Sequence, residues 1–208
     1  MKDANVIIVT LAVATVLALA LIIPQLVASH PAFQSDTVST TQAVQMMRIV
    51  PEYANIIQSN NTVIFTDSNI RLVVLAIGHE GLANLTANSP PGYATDDVFV
   101  IYGLADPTLI IPHDATVQIV LVNLDSGIYH SFVITSFSPP YSYMSMHGMK
   151  SGQSGFWAMM PFIPPTSSHG VAHEYSYSVA LRNPETLWYL CSYPGHAQNG
   201  MYGRILVA

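Results

Sequence analysis

Hydrophobic positions follow three rhythms along the chain, and each predicts a different element. Residues 4–23 form one unbroken run with no charged residue and no proline. A run of that length spans a bilayer as a helix. A secretory signal peptide is the rival reading, with Leu26-Val27-Ala28 as its cleavage site, but its apolar core is usually shorter, about 7–15 residues. An uncleaved N-terminal transmembrane helix is therefore expected, over 1–28. Lys2 and the amino terminus tilt its amino end inward, which puts the rest of the chain outside the cell.

The second rhythm is helical. After a polar stretch, residues 41–58 place Val44, Met47, Val50, Ala54 and Ile57 at three- and four-residue spacing, with Ser39 or Thr40 as cap and an interruption at Pro51. Residues 29–61 thus read as a linker and a short helical extension. From 62 the rhythm becomes that of strands. Runs at 62–66, 71–77, 98–103, 108–111, 116–123, 129–136, 173–181, 186–191 and 201–207 are β-rich and separated by Gly, Pro, Asn and Asp. So many short strands with no helix among them predict an all-β sandwich over 62–208. One long insertion, at about 138–170, is rich in Pro, Ser, Gly, Tyr and Met.

Chemistry concentrates in the loop between the last two strands. Cys191 is the only cysteine, His196 follows five residues on, and Met201 five beyond that. Pro194-Gly195 and Gly200 bend the loop so that these side chains can converge. Thiolate, imidazole and thioether are soft or borderline ligands, and two His with one Cys and a long axial Met hold copper in electron-transfer sites. The second histidine must come from another strand. Of the eight histidines, His130 heads the alternating row with Phe132 and Ile134, on a face that belongs to the core. A Greek-key sandwich brings such a strand beside the last hairpin. The predicted metal set is His130, Cys191, His196 and Met201.

The segment from Leu187 to Ala197, with Gly200-Met201 and the upstream His130-Ser131-Phe132, resembles the sulfocyanins. These are archaeal blue copper proteins of the cupredoxin superfamily, related to rusticyanin, and the resemblance covers roughly residues 60–208. It implies a cupredoxin-like Greek-key β-sandwich with one type 1 copper held by His130, Cys191, His196 and axial Met201. It also implies electron transfer in an archaeal respiratory chain, in some members linked to iron or sulfur oxidation. The backbone N–H of Ser131 would then donate to the Cys191 sulfur. Tyr129, Phe132, Trp188 and Tyr193 would keep water out, and the His196 imidazole edge would be the electron port where respiratory partners dock.

Composition narrows the choice further. Six basic against twelve acidic residues excludes a nucleic-acid partner on electrostatic grounds. Charged residues make up 9% of the chain, against about a quarter in an average protein. Ser, Thr, Tyr, Asn and Gln supply the polarity instead, a surface suited to acid. A single cysteine excludes an internal disulfide, a binuclear thiolate-bridged copper site and Cys-rich zinc modules. There is no His-x-His pair for a second, catalytic copper, no nucleophilic triad and no phosphate-binding glycine loop. A membrane-anchored carrier with an extracytoplasmic, monomeric copper domain is expected, and not an enzyme. The alternative is a copper-binding or chaperone protein using the Met144, Met146, His147 and Met149 cluster of the insertion.

Overall fold

The computed structural model describes residues 36–142, 155–167 and 169–208. The expected anchor at 1–28 and the Met144–Met149 cluster lie outside the described residues. Among those described, no helix is long and apolar enough to cross a membrane.

Two sheets form a sandwich. One has six strands: β1 (Asp36–Ser39), β4 (Asn69–Ile77), β5 (Val98–Ile101), β6 (Leu104–Ala105), β8 (Ala115–Asn123) and β11 (Val171–Leu181), in the order β1-β11-β8-β4-β5-β6. The other has seven: β2 (Ala54–Ile57), β3 (Thr62–Phe65), β7 (Thr108–Ile111), β9 (Val133–Thr135), β10 (Phe156–Ala158), β12 (Glu185–Leu190) and β13 (Tyr202–Val207), in the order β10-β9-β12-β13-β7-β3-β2. Most pairings are antiparallel, but β4–β8, β3–β7 and β7–β13 run parallel. These parallel crossings carry the chain between the sheets.

The pleat assigns each apolar residue to a layer. Leu72, Val74 and Ala76 of β4 and Val117, Ile119 and Leu121 of β8 point into the space between the sheets. Val73 and Leu75 with Val120 and Val122 point outward, beneath a helix, α1 (Thr40–Arg48), whose Ala43 and Met47 are fully buried. Cover on both faces explains why the later halves of β4 and β8, residues 72–77 and 119–122, read as continuous apolar runs, whereas their first halves alternate.

The helical extension differs from the 41–58 expected. Ser39 caps α1, its hydroxyl accepting from the Gln42 amide at 3.1 Å, and the helix stops at Arg48. Pro51 disfavours a helical conformation at the residue before it, and the chain re-enters as β2, antiparallel to β3. Residues 36–39 and 54–57 are thus sheet strands inside the stretch expected to be linker and helix. The 138–170 insertion is likewise partly built into the sandwich: β10 pairs with β9, and Ile163 bridges His130. The strand expected at 129–136 shrinks to β9 plus that bridge.

An aromatic cluster lies under one end of the core. Tyr189 stacks on Phe132 with centroids 5.0 Å apart, and Phe99 meets both edge-on. The Tyr189 hydroxyl donates to the Pro107 carbonyl at 2.6 Å. Gly203, paired across the ladder with Tyr189, leaves room for that ring, since a Cβ there would strike the phenol.

Candidate metal centre

The first histidine is positioned by the turn that ends β8. Asn123 is fully buried, and its side-chain amide donates to the carbonyls of Ile128 (2.8 Å), Pro164 (3.0 Å) and Ile163 (3.2 Å). Its Oδ1 accepts from the Asp125 amide at 2.9 Å, and Asp125 in turn caps Gly127. The Ile163 N–H then donates to the His130 carbonyl at 2.8 Å. One buried asparagine therefore ties the turn, the His130 strand and the returning insertion together.

The remaining ligands come from the loop between β12 and β13. Its ends are joined by the Cys191 N–H donating to the Met201 carbonyl (3.1 Å), and its middle by the Met201 N–H donating to the His196 carbonyl (3.0 Å). Gly195 and Gly200 have φ of +95° and +101°, a region glycine enters without steric cost. The second of these cannot carry a side chain, because a Cβ on Gly200 would strike the backbone of Tyr93 and Ala94.

These two constructions bring three predicted ligand atoms together. His130 Nδ1 lies 3.2 Å from His196 Nδ1 and 3.8 Å from Cys191 Sγ, and the three donors lie within 4.8 Å of one another. All three residues are buried, as is Met201, which shares the inter-sheet core with Cys191. A triangle of this size has a centre within reach of bonds of about 2.0–2.3 Å, usual for metal–nitrogen and metal–sulfur ligation. Two imidazole nitrogens turned toward each other beside a buried thiol lack a reason of their own. The donor set fits copper.

The sulfur's surroundings match the expectation for Ser131. Its backbone N–H donates to Cys191 Sγ at 3.5 Å. Its hydroxyl accepts from the Ser192 amide at 3.0 Å and lies 2.8 Å from the Ser192 hydroxyl. Burial pushes the Cys191 thiol up, but hydrogen bonding and charge from His130 and His196 outweigh it and bring the thiol down to about 6. Burial lowers His130, yet Asp125, Cys191 and Asp97 more than reverse this and raise it to about 9.

Two acidic neighbours are absent from the predicted set. Asp97, the residue before β5, is buried with its Oδ2 3.3 Å from His196 Nδ1 and 4.0 Å from His130 Nε2. Asp125 Oδ2 stands 3.8 Å from His130 Nε2. Burial raises Asp97, whereas His130 holds Asp125 below the usual carboxylate range. Gly78 makes space for the pair, since a Cβ there would crowd Asp125 Oδ2 and Asp97 Oδ1. An acid directly before the apolar run 98–101 was the available signal for Asp97, but nothing in the spacing linked it to the loop.

The expected aromatic shield is half correct. Phe132 lies in the core below the site and Tyr193 covers His196, with ring centroids 4.7 Å apart. Tyr129 is exposed, because the turn at 125–128 delivers it to the outside, and Trp188 packs edge-on against Tyr202. His196 itself is buried, with 6% of its surface exposed.

No protein-family model matches the chain. Over 151 residues it is 30% identical to rusticyanin of Acidithiobacillus ferridurans, covering 72% of this chain and 68% of that protein. A rusticyanin of Acidithiobacillus ferrooxidans is 30% identical over the same length, with 83% of it covered. Among solved structures, reduced rusticyanin at 1.9 Å superimposes with a TM-score of 0.62 and 26% identity, over 84% of this chain and all of that one. A 1.27 Å structure of rusticyanin from Thiobacillus ferrooxidans gives a TM-score of 0.62 at 25% identity. With a cupredoxin sandwich, a buried His-Cys-His triangle and this degree of identity, the chain belongs to the rusticyanin family of blue copper proteins.

Proposed function

We propose that the protein is a single-electron carrier whose His130, Cys191, His196 and Met201 would hold one type 1 copper. The observation that carries this is the buried convergence of His130 Nδ1, His196 Nδ1 and Cys191 Sγ. When bound, copper supplies a one-electron couple strongly coupled to the thiolate.

The chain's own residues supply the rest. Asn123 and the Ile163 bridge fix His130, and the Cys191–Met201 and Met201–His196 backbone bonds fix the loop. Ligands so held move little when charge changes. The Ser131 N–H spreads the charge of the sulfur, and the Phe132, Phe99 and Tyr189 rings keep water from its inner side. Asp125, which His130 holds below the usual carboxylate range, sets negative charge behind the His130 imidazole, a neighbourhood that favours the oxidised, more positive state.

The finer reading is a sulfocyanin-type carrier in an archaeal respiratory chain, anchored by its N-terminal segment with the copper domain outside the cell. The 187–201 motif and the apolar run at 4–23 support it. Visible and electron paramagnetic resonance spectra after one equivalent of cupric ion test the central claim. An intense band near about 600 nm with small copper hyperfine splitting is expected of a thiolate-ligated type 1 site. A pale, ordinary cupric signal would refute it. Retention of the chain in membranes washed with alkaline carbonate, with residue 1 intact by mass, tests the anchor.

A further inference from the structure

The predicted port, His196, is buried, so contact with a redox partner must pass through whatever covers it. The Tyr193 ring does, and the Phe162 ring packs on Tyr193 in turn. The Tyr193 ring stands over the His196 imidazole at a centroid distance of 4.7 Å, tilted by 58°. The Phe162 ring meets Tyr193 edge-on at 5.5 Å, and Phe162 is 43% exposed. The line of rings therefore runs without a gap from a buried ligand to solvent.

Phe162 is held in place by its neighbours. Ile163, the next residue, exchanges backbone hydrogen bonds with His130. The Ile163 and Pro164 carbonyls accept from the Asn123 amide, and the Thr166 hydroxyl donates to the Asn123 carbonyl at 2.7 Å. A large apolar ring is thus kept in water by a strap tied to the backbone of the opposite copper ligand. Neither segment bearing the rings contains Asp, Glu, Lys or Arg, over 151–172 or over 186–203.

Resting on the copper-carrier reading, we propose that Tyr193 and Phe162 form the electron port, with the Phe162 ring rather than His196 as the surface a redox partner touches. The matching face is apolar and uncharged, and a second copy of this chain presents one. In self-exchange one electron passes from a reduced copy to an oxidised copy. Each becomes the other, and no proton or bond changes hands.

The experiment measures self-exchange by NMR line broadening in mixtures of reduced and oxidised full-length, copper-loaded chain. Phe162→Ala and Tyr193→Ala should each slow it at least about tenfold, about 1.4 kcal/mol of activation free energy. The ring-retaining Tyr193→Phe should restore what Tyr193→Ala loses. The parent rate should rise with ionic strength, because each copy carries a formal net charge of −6 and salt screens their mutual repulsion. In the metal-free chain, Tyr193→Ala should speed acylation of His196 by diethylpyrocarbonate, a readout independent of electron transfer. Blue variants that exchange within about twofold of the parent would overturn the port. A parent chain that takes up copper without a blue band would overturn the carrier reading and the port with it.

Discussion

Replacing Ser131 by alanine tests the scaffold of the site apart from its ligands. Ser131 is fully buried, and its hydroxyl is the acceptor for the Ser192 amide as well as the partner of the Ser192 hydroxyl. Alanine deletes that acceptor and leaves a buried N–H with none. A net hydrogen bond contributes about 1 kcal/mol and an unpaired buried group costs about 1–3 kcal/mol. Because both bonds converge on one oxygen, the expected loss is about 2–3 kcal/mol and not the sum of separate terms. The vacated volume is that of one hydroxyl oxygen, too small for a water to enter. Urea unfolding of the metal-free chain should show an unchanged slope and a midpoint lowered by about 0.7–3 M, given slopes of about 1–3 kcal/mol/M. The Ser131 backbone N–H still reaches Cys191 Sγ, so copper uptake and blue colour should survive. A loss below about 0.5 kcal/mol would refute the reasoning, since only surface substitutions are normally that mild.

Cys191→Ser should abolish the visible band, while Met201→Leu should keep it and raise the reduction potential; the spectrum and voltammetry of the copper-loaded variants check both. Gly200→Ala should lower the melting temperature and weaken copper retention, because left-handed backbone at a non-glycine residue costs about 1–2 kcal/mol even before the added Cβ meets Tyr93. Glu174 faces Asp36 across the β1–β11 ladder, and burial first and that charge second raise it above 4.5. The raised value means that ionisation disfavours the fold, so stability is fullest below 4.5 and falls as pH rises through the folded value. Glu174→Gln should accordingly raise the melting temperature at pH 7, with the advantage fading on acidification toward pH 4. An advantage that persists at pH 4 would contradict the assignment.

The Cys191–Met201 loop was readable because its ligands sit at fixed spacing beside residues that bend a chain, Pro194, Gly195 and Gly200. His130 was readable from pleat alternation, which puts it in register with Phe132 and Ile134. What escaped depended on contacts between distant segments. Asp97 meets the ligands only because β5 lies beside β4 in the opposite sheet. The ring that packs on Tyr193 over His196, Phe162, arrives from an insertion with no strong period. The helix boundary failed for a local reason. Val50, Ala54 and Ile57 continue the helical spacing, but tertiary pairing of β2 with β3 takes those residues once Pro51 breaks the turn. The low charge of the chain was visible at once, whereas which carboxylates are raised needed the ladder that sets Asp36 against Glu174.

The distance along the chain between His130 and Cys191 has a consequence for folding. The two are 61 residues apart, and their strands meet only when β9 has paired with β12. A bound ion joining them closes that loop, as a cross-link would. Loop-closure entropy for a span of this length is about 4 kcal/mol, a large part of the usual stability of a domain. With one cysteine, the chain has no disulfide with which to reach such a constraint. The ion that carries its electrons would also act as its staple, and the metal-free chain should unfold and be degraded far sooner than the loaded one.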